Sequence, residues 1–190
     1  MQFKPDQIVV HHDGVSREGP SFAIVDAFHE SEGFPISSLG YYVGYHYWIE
    51  RDGTARQARA ENELGAHTRG QNYTALGIGL AGCFDTEDPT DAQVAALGEL
   101  LSALCARHAI SHDRIFPHRK YANKTCYGSR LSDAWAHDVL AEHEKAAAAA
   151  AKVAPVADEP AAAVQMPPGW LARIVVAFIT LCKAVLNIKG

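Results

Sequence analysis

Three short stretches of the chain hold most of the side chains that could bind a metal or move a proton. They are His11-His12, Gly44-Tyr45-His46, and the loop from Pro117 to Gly128, which contains His118, Lys124 and Cys126. Imidazole and thiolate are ligands that zinc prefers, and three protein ligands with one open position are typical of a catalytic zinc site. His11, His118 and Cys126 supply one such set.

The same residues have a second interpretation that involves no metal. His11 would then only end a strand, and Cys126 would be a small buried apolar side chain. The His-x7-Cys spacing matches no common structural zinc site, and the sequence has no Cys-x-x-Cys pair. The residues alone therefore argue against a closed structural zinc site and leave both a catalytic metal site and no metal open.

Hydrophobic periodicity and turn residues predict the elements that position these groups. We predict strands at Gln7–His11 and Leu76–Gly82, a hairpin from Gly44–Glu50 to a strand beginning near Ala55, and helices at Ser21–Glu32, Thr90–His108 and Leu131–Glu144. Glycines within the second strand are expected where other groups approach its backbone closely. Strands interleaved with helices predict an α/β domain with a single mixed central sheet flanked by helices.

Composition divides the 190 residues into three parts. Residues 1–144 are predicted to form the folded domain, 145–169 an Ala/Pro-rich linker, and 170–190 a separate C-terminal helix. The net charge of −5 argues against a nucleic-acid partner, which usually meets a basic face. No classical signal peptide is visible, and the four irregularly spaced cysteines do not suggest a disulfide framework, so we expect synthesis in a reducing cytoplasm.

Four blocks of the sequence resemble the zinc-dependent N-acetylmuramoyl-L-alanine amidases, the family of short bacteriophage endolysins and peptidoglycan recognition proteins. The blocks are IVVHHDG at 8–14, GYHYWIERDGTARQAR at 44–59, GAHTRGQNYTALGIGLAGCFD at 65–85 and HRKYANKTCYG at 118–128. They occur in the family's order. The linker and the C-terminal helix lie outside the resemblance.

The resemblance implies a role for each matching residue. His11, His118 and Cys126 fall on the family's zinc ligands, and Tyr45 and Lys124 on its catalytic residues. Lys124 favours the endolysin branch, because many recognition proteins lack a lysine there. His67 is expected to line the cleft, with either substrate binding or support of the metal site as its role, whereas His46 is expected to be structural.

The implied activity is zinc-dependent hydrolysis of the amide between N-acetylmuramic acid and L-alanine in peptidoglycan, with Zn²⁺ as cofactor and lysis of the bacterial cell wall as outcome. Zinc polarises the carbonyl and lowers the pKa of water to about 7. Lys124 would stabilise the developing oxyanion, and Tyr45 would hold that oxyanion or the attacking water. A peptidoglycan-binding or regulatory module without turnover is the alternative. The residues do not say whether Tyr45 or Lys124 passes the proton to the leaving amine.

Residues 170–190 form the pattern of a cationic amphipathic helix. Arg173, Thr180 and Asn187 lie seven residues apart on one face, apolar residues cover the other, and no acidic residue is present. This pattern is typical of a helix lying in a membrane interface. A transmembrane span is one alternative, although Arg173 and Lys183 interrupt the apolar run; docking on the chain's own domain or self-association is another.

We predict that truncation after Pro168 abolishes binding to vesicles of anionic lipid and leaves activity on purified peptidoglycan unchanged. The reason is that the amphipathic face and its positive charges are removed while the four matching blocks are kept. Cosedimentation with vesicles measures the first effect, and clearing of a cell-wall suspension measures the second. If the untruncated chain does not bind anionic vesicles, the membrane assignment is wrong. Docking of residues 170–190 on the chain's own domain would then be favoured.

Overall fold

The structure is a computed structural model and describes residues 3–153. Its strands are β1 Gln7–His12, β2 Tyr47–Ile49, β3 Ala55–Gln57, β4 Ala75–Leu80 and β5 Ile115–Pro117. Its helices are α1 Phe22–Ser31, α2 Asp91–His108 and α3 Trp135–Val153, with 3-10 turns at His112–Arg114 and His118–Lys120.

The five strands form one mixed sheet in the order β3-β2-β4-β1-β5. Strand β1 pairs in parallel with β4 and β5, β2 pairs in parallel with β4, and only β3 is antiparallel. Strand β1 is buried along its whole length. One apolar cluster joins the sheet to α2 and α3, and a second packs α1 against the opposite face. The prediction of an α/β domain with a mixed central sheet flanked by helices is confirmed.

Three elements differ from the sequence prediction by more than two residues. Strand β2, predicted at Gly44–Glu50, spans only Tyr47–Ile49. Strand β5 was not predicted, because it is three residues long and ends in Pro117; it forms by pairing with β1. Helix α3 begins at Trp135 instead of Leu131 and continues to Val153, since its run of alanines has high helix propensity. Residues 145–153, predicted as the start of the linker, are therefore helical.

The rest of the predicted linker and the C-terminal helix at 170–190 lie outside the described residues. Within residues 3–153, no helix is both long and apolar enough to cross a membrane.

Two helix starts are fixed by side chains. At α2, Thr90 and Gln93 form a capping box. At α1, the buried Glu50 carboxylate accepts hydrogen bonds from the backbone amides of Ser21 and Phe22. Burial alone would raise the pKa of Glu50, but hydrogen bonds from Ser21 and Phe22 lower it below its usual range. The ionised carboxylate thus accepts hydrogen bonds from free amides of the first turn and interacts favourably with the positive end of the helix dipole.

Candidate active site

Two histidines from distant parts of the sequence meet where β1 and β5 end. Val10 is paired with Pro117 in the parallel register of these strands, so the next residues, His11 and His118, lie side by side. Their ring centroids are 4.4 Å apart. The carboxyl ends of parallel strands are the usual place for ligand sites in α/β sheets.

Cys126 reaches the two histidines because the loop after β5 is folded back onto the sheet. The Arg119 side chain donates to the carbonyl oxygens of Gly128 and Leu131, at 2.7 Å each. Its backbone amide donates to the carbonyl oxygen of Cys126 at 2.7 Å. Asp85 holds the loop from outside, accepting from the Thr125 hydroxyl at 2.8 Å and from the Ser129 amide at 2.6 Å.

The three predicted ligands come together in a geometry that suits a metal ion. One ligand atom from each of His11, His118 and Cys126 lies within 4.8 Å of the others. The distance from His11 Nδ1 to Cys126 Sγ is 3.8 Å. Zinc–nitrogen and zinc–sulfur bonds of about 2.1 and 2.3 Å at a tetrahedral angle would separate these atoms by about 3.6 Å. The residues present therefore fit a tetrahedral zinc ion with one open position.

The protonation of these ligands is governed mainly by burial. Burial, together with the nearby His67 and His118, holds the pKa of His11 well below its usual value, and burial also lowers the pKa of His118. Both imidazoles are therefore neutral and have a lone pair to donate. Burial raises the pKa of Cys126 to about 12. A metal must therefore displace the thiol proton when it binds, after which the His12 amide, 3.4 Å from Sγ, can donate to the thiolate.

The ligands line a cleft of about 570 Å³, and Tyr45, His67 and Lys124 line it with them. Phe28 and His29 of α1, together with Glu32 and Phe34 after it, also line the cleft. The Tyr45 ring centroid lies 5.0 Å from that of His11. Burial raises the pKa of Tyr45 far above its usual value, so its hydroxyl stays protonated and can donate. The structure thus brings all six predicted site residues to one cleft; their roles there stay predictions.

A glycine and two histidines hold the Tyr45 backbone and ring in place. A Cβ at Gly79 would lie 2.6 Å from the Tyr45 ring, so only glycine leaves room for it. The Gly44 amide donates to His29 Nδ1 at 3.1 Å, and the Gly77 amide donates to His46 Nδ1 at 3.0 Å. His46 Nε2 lies 2.9 Å from the carbonyl oxygen of Glu63, which fits the structural role expected for His46.

Sequence reasoning missed three residues that support the site. They are Thr68, whose hydroxyl lies 3.2 Å from His11 Nε2, and the loop residues Asp85 and Arg119. Thr68 and Asp85 lie in the matching block at 65–85, and Arg119 lies in the block at 118–128. Their position as polar residues within matching blocks was the one indication in the sequence that they could support the site. The partners of Thr68 and Asp85 are distant in sequence, and Arg119 holds the loop through backbone carbonyls, which no residue type reveals.

Comparison with known proteins supplies the family. The profile described as N-acetylmuramoyl-L-alanine amidase matches residues 1–129. The chain belongs to this family. The predicted resemblance is therefore confirmed, and the match covers all three candidate metal ligands.

Relatives of this amidase-family chain include both catalytic and recognition proteins by name. It is 32% identical over 108 residues to the endolysin of Escherichia phage T7, covering 54% of this chain and 70% of that protein. It is 28% identical over 125 residues to peptidoglycan-recognition protein SC2 of Drosophila melanogaster, covering 65% and 68%. The solved N-acetylmuramoyl-L-alanine amidase LysC from Clostridium intestinale URNW aligns with a TM-score of 0.62 and 28% identity, over 75% of this chain and 87% of LysC.

We predict that acid destabilises the fold through His29 and His46. Burial is the main reason that the pKa of each lies at about 4, against 6.5 in an unfolded chain. The unfolded chain therefore binds more protons between these values, and stability falls as the pH decreases from about 6.5 towards 4. Protonation also turns Nδ1 of each ring from an acceptor into a donor facing a backbone amide.

Urea unfolding at pH 7 and pH 5 measures this effect. The lowered pKa of the fully buried His46 implies a loss of about 2 kcal/mol over this interval, and a smaller loss is expected from His29. His46→Gln is expected to lower the free energy of unfolding at pH 7. It should also reduce the loss of stability between pH 7 and pH 5 by about 2 kcal/mol. A variant whose pH-dependent loss equals that of the wild type would contradict the assignment for His46.

Proposed function

We propose that this chain hydrolyses the amide between N-acetylmuramic acid and L-alanine in peptidoglycan, with zinc as its cofactor. The observation that carries the proposal is the convergence of His11, His118 and Cys126 to within 4.8 Å in a cleft that Tyr45 and Lys124 also line. Membership of the N-acetylmuramoyl-L-alanine amidase family supports the bond, and the ligand set supports the metal.

An amide is a weak electrophile with a poor leaving group. Zinc held by the three ligands would polarise the scissile carbonyl and make a water molecule nucleophilic at neutral pH. Two neutral imidazoles and one thiolate leave the site a formal charge of +1, so it favours the negative charge that develops on the carbonyl oxygen. The cleft wall beside the ligands excludes part of the surrounding water, which strengthens this attraction.

Lys124 and Tyr45 are the side chains that would stabilise the negative charge developing on the carbonyl oxygen, in addition to the metal. The Lys124 ammonium lines the cleft and stabilises an oxyanion that exists only around the transition state, so its effect falls on turnover. The protonated Tyr45 hydroxyl donates a hydrogen bond to that oxygen or orients the attacking water. One of the two residues would deliver a proton to the leaving amine.

Peptidoglycan is the substrate that the relatives' names support. They include a phage endolysin and a peptidoglycan-recognition protein, so binding to peptidoglycan without turnover is the competing function. The complete set of three ligands, together with Tyr45 and Lys124, favours the enzyme. We also propose that residues 170–190 bring the enzyme to a membrane surface next to its wall substrate; their sequence pattern is the support.

Mass spectrometry of digested peptidoglycan tests the activity. We expect new amino termini on L-alanine and no new reducing sugar ends, and we expect a chelator to stop the reaction. Lys124→Ala is expected to keep bound zinc and to lower turnover by about 100-fold or more, by analogy with the loss of one oxyanion donor. Lys145→Ala, an exposed lysine on α3, is the matched control.

New reducing ends in the digest would indicate a glycosidase and contradict the proposal. Stoichiometric binding of peptidoglycan with no product would favour the recognition function. A Lys124→Ala variant with unchanged turnover would remove Lys124 from the mechanism while leaving the amidase activity intact.

A further inference from the structure

The His11 ring has hydrogen-bonding partners on both of its nitrogens. Its Nδ1 faces Cys126 Sγ at 3.8 Å, on the side of the metal ligands. Its Nε2 faces away from them, 3.0 Å from His67 Nδ1 and 3.2 Å from Thr68 Oγ1. These two residues are consecutive in the chain, and the Thr68 hydroxyl is also 2.9 Å from His67 Nδ1. The three groups form a closed triangle.

The orientation of this triangle follows from one backbone carbonyl. His67 Nε2 lies 3.3 Å from the carbonyl oxygen of Ala75, the first residue of β4. A carbonyl only accepts, so the proton of the neutral His67 ring sits on Nε2, and its Nδ1 is an acceptor. The His11 proton therefore sits on Nε2, where His67 Nδ1 and the Thr68 hydroxyl oxygen can accept it. The lone pair of His11 Nδ1 is left free to bind a metal.

The Asn72 side chain and two glycines hold the triangle in place. The Asn72 side-chain oxygen accepts from the amides of both His67 and Thr68, at 3.0 and 2.9 Å. A Cβ at Gly77 would lie 2.5 Å from the His67 ring, and one at Gly65 would lie 2.4 Å from it. Two glycines therefore form a slot that fits this ring, and Thr68 is 1% exposed.

We propose that His67 and Thr68 are positioning residues that fix the tautomer and ring orientation of His11, so that Nδ1 is presented to the zinc ion. The inference rests on the proposed zinc-dependent function. A histidine that binds a metal usually donates its other N–H to a fixed acceptor, and loss of that acceptor typically costs 10- to 100-fold in metal affinity. Here the acceptor is a second histidine, itself fixed by the Ala75 carbonyl.

This assignment chooses between the two roles expected for His67. Both of its ring nitrogens are engaged, one with His11 and Thr68 and the other with Ala75. Neither nitrogen is left to bind substrate, although the ring lines the cleft. The contacts therefore favour support of the metal site over substrate binding.

Zinc affinity, measured by competition with a chromophoric chelator, tests the proposal independently of activity. His67→Phe keeps a ring in the glycine slot and removes the acceptor, so we expect zinc affinity to fall about 10- to 100-fold. His67→Asn places a side-chain oxygen near the position of Nδ1, so we expect it to recover part of that loss. Thr68→Val is expected to weaken zinc binding and Thr68→Ser to retain it. Thr54→Val, at an exposed threonine, is the matched control.

Nuclear magnetic resonance of the ¹⁵N-histidine-labelled, zinc-loaded wild type gives a second readout. We expect the His11 proton on Nε2; a proton on Nδ1 would overturn the proposal. Unchanged zinc affinity in both His67→Phe and Thr68→Val would overturn it as well, while the zinc site itself would stand. If His67→Phe fails to fold, the comparison of zinc affinity between Thr68→Val and Thr68→Ser tests the proposal instead. Equal affinity in these two variants would then overturn it. A wild type that binds no zinc would instead contradict the proposed function.

Discussion

The parallel register between β1 and β5 determines where the site can form. Pairing of Val10 with Pro117 places His11 beside His118 where the two strands end. A shift of one residue would turn every side chain of β5 to the other face of the sheet. Every residue of β1 is buried. A shifted register would therefore place apolar side chains of this strand out of the core, which disfavours the shift.

The third ligand depends on hydrogen bonds rather than on the sheet. Cys126 lies on a loop, and the loop is held by Arg119 from within and by Asp85 from the segment after β4. His67 and Thr68 come from another loop, whose Asn72 joins their two amides. Rigid strand ends thus supply two ligands, and hydrogen-bonded loops add the thiolate and fix the His11 ring.

The sequence predicts what is local and misses what depends on pairing. The capping box at Thr90 and the amphipathic helices follow from neighbouring residues, and the candidate ligands follow from residue type and the matching blocks. Strand β5 has no local signal, since three residues ending in Pro117 become a strand only beside β1. Glycines at 77 and 79 indicate a close approach, but the sequence does not say that the rings of His67 and Tyr45 make it.

X-ray absorption spectroscopy of the zinc-loaded protein tests the central claim, that His11, His118 and Cys126 hold one zinc ion. The account predicts one sulfur at about 2.3 Å and two imidazole nitrogens at about 2.0–2.1 Å, with a light atom in the open position. Cys126→Ala should remove the sulfur contribution or abolish stoichiometric binding. A wild-type spectrum without sulfur, or with a single imidazole, would contradict the account.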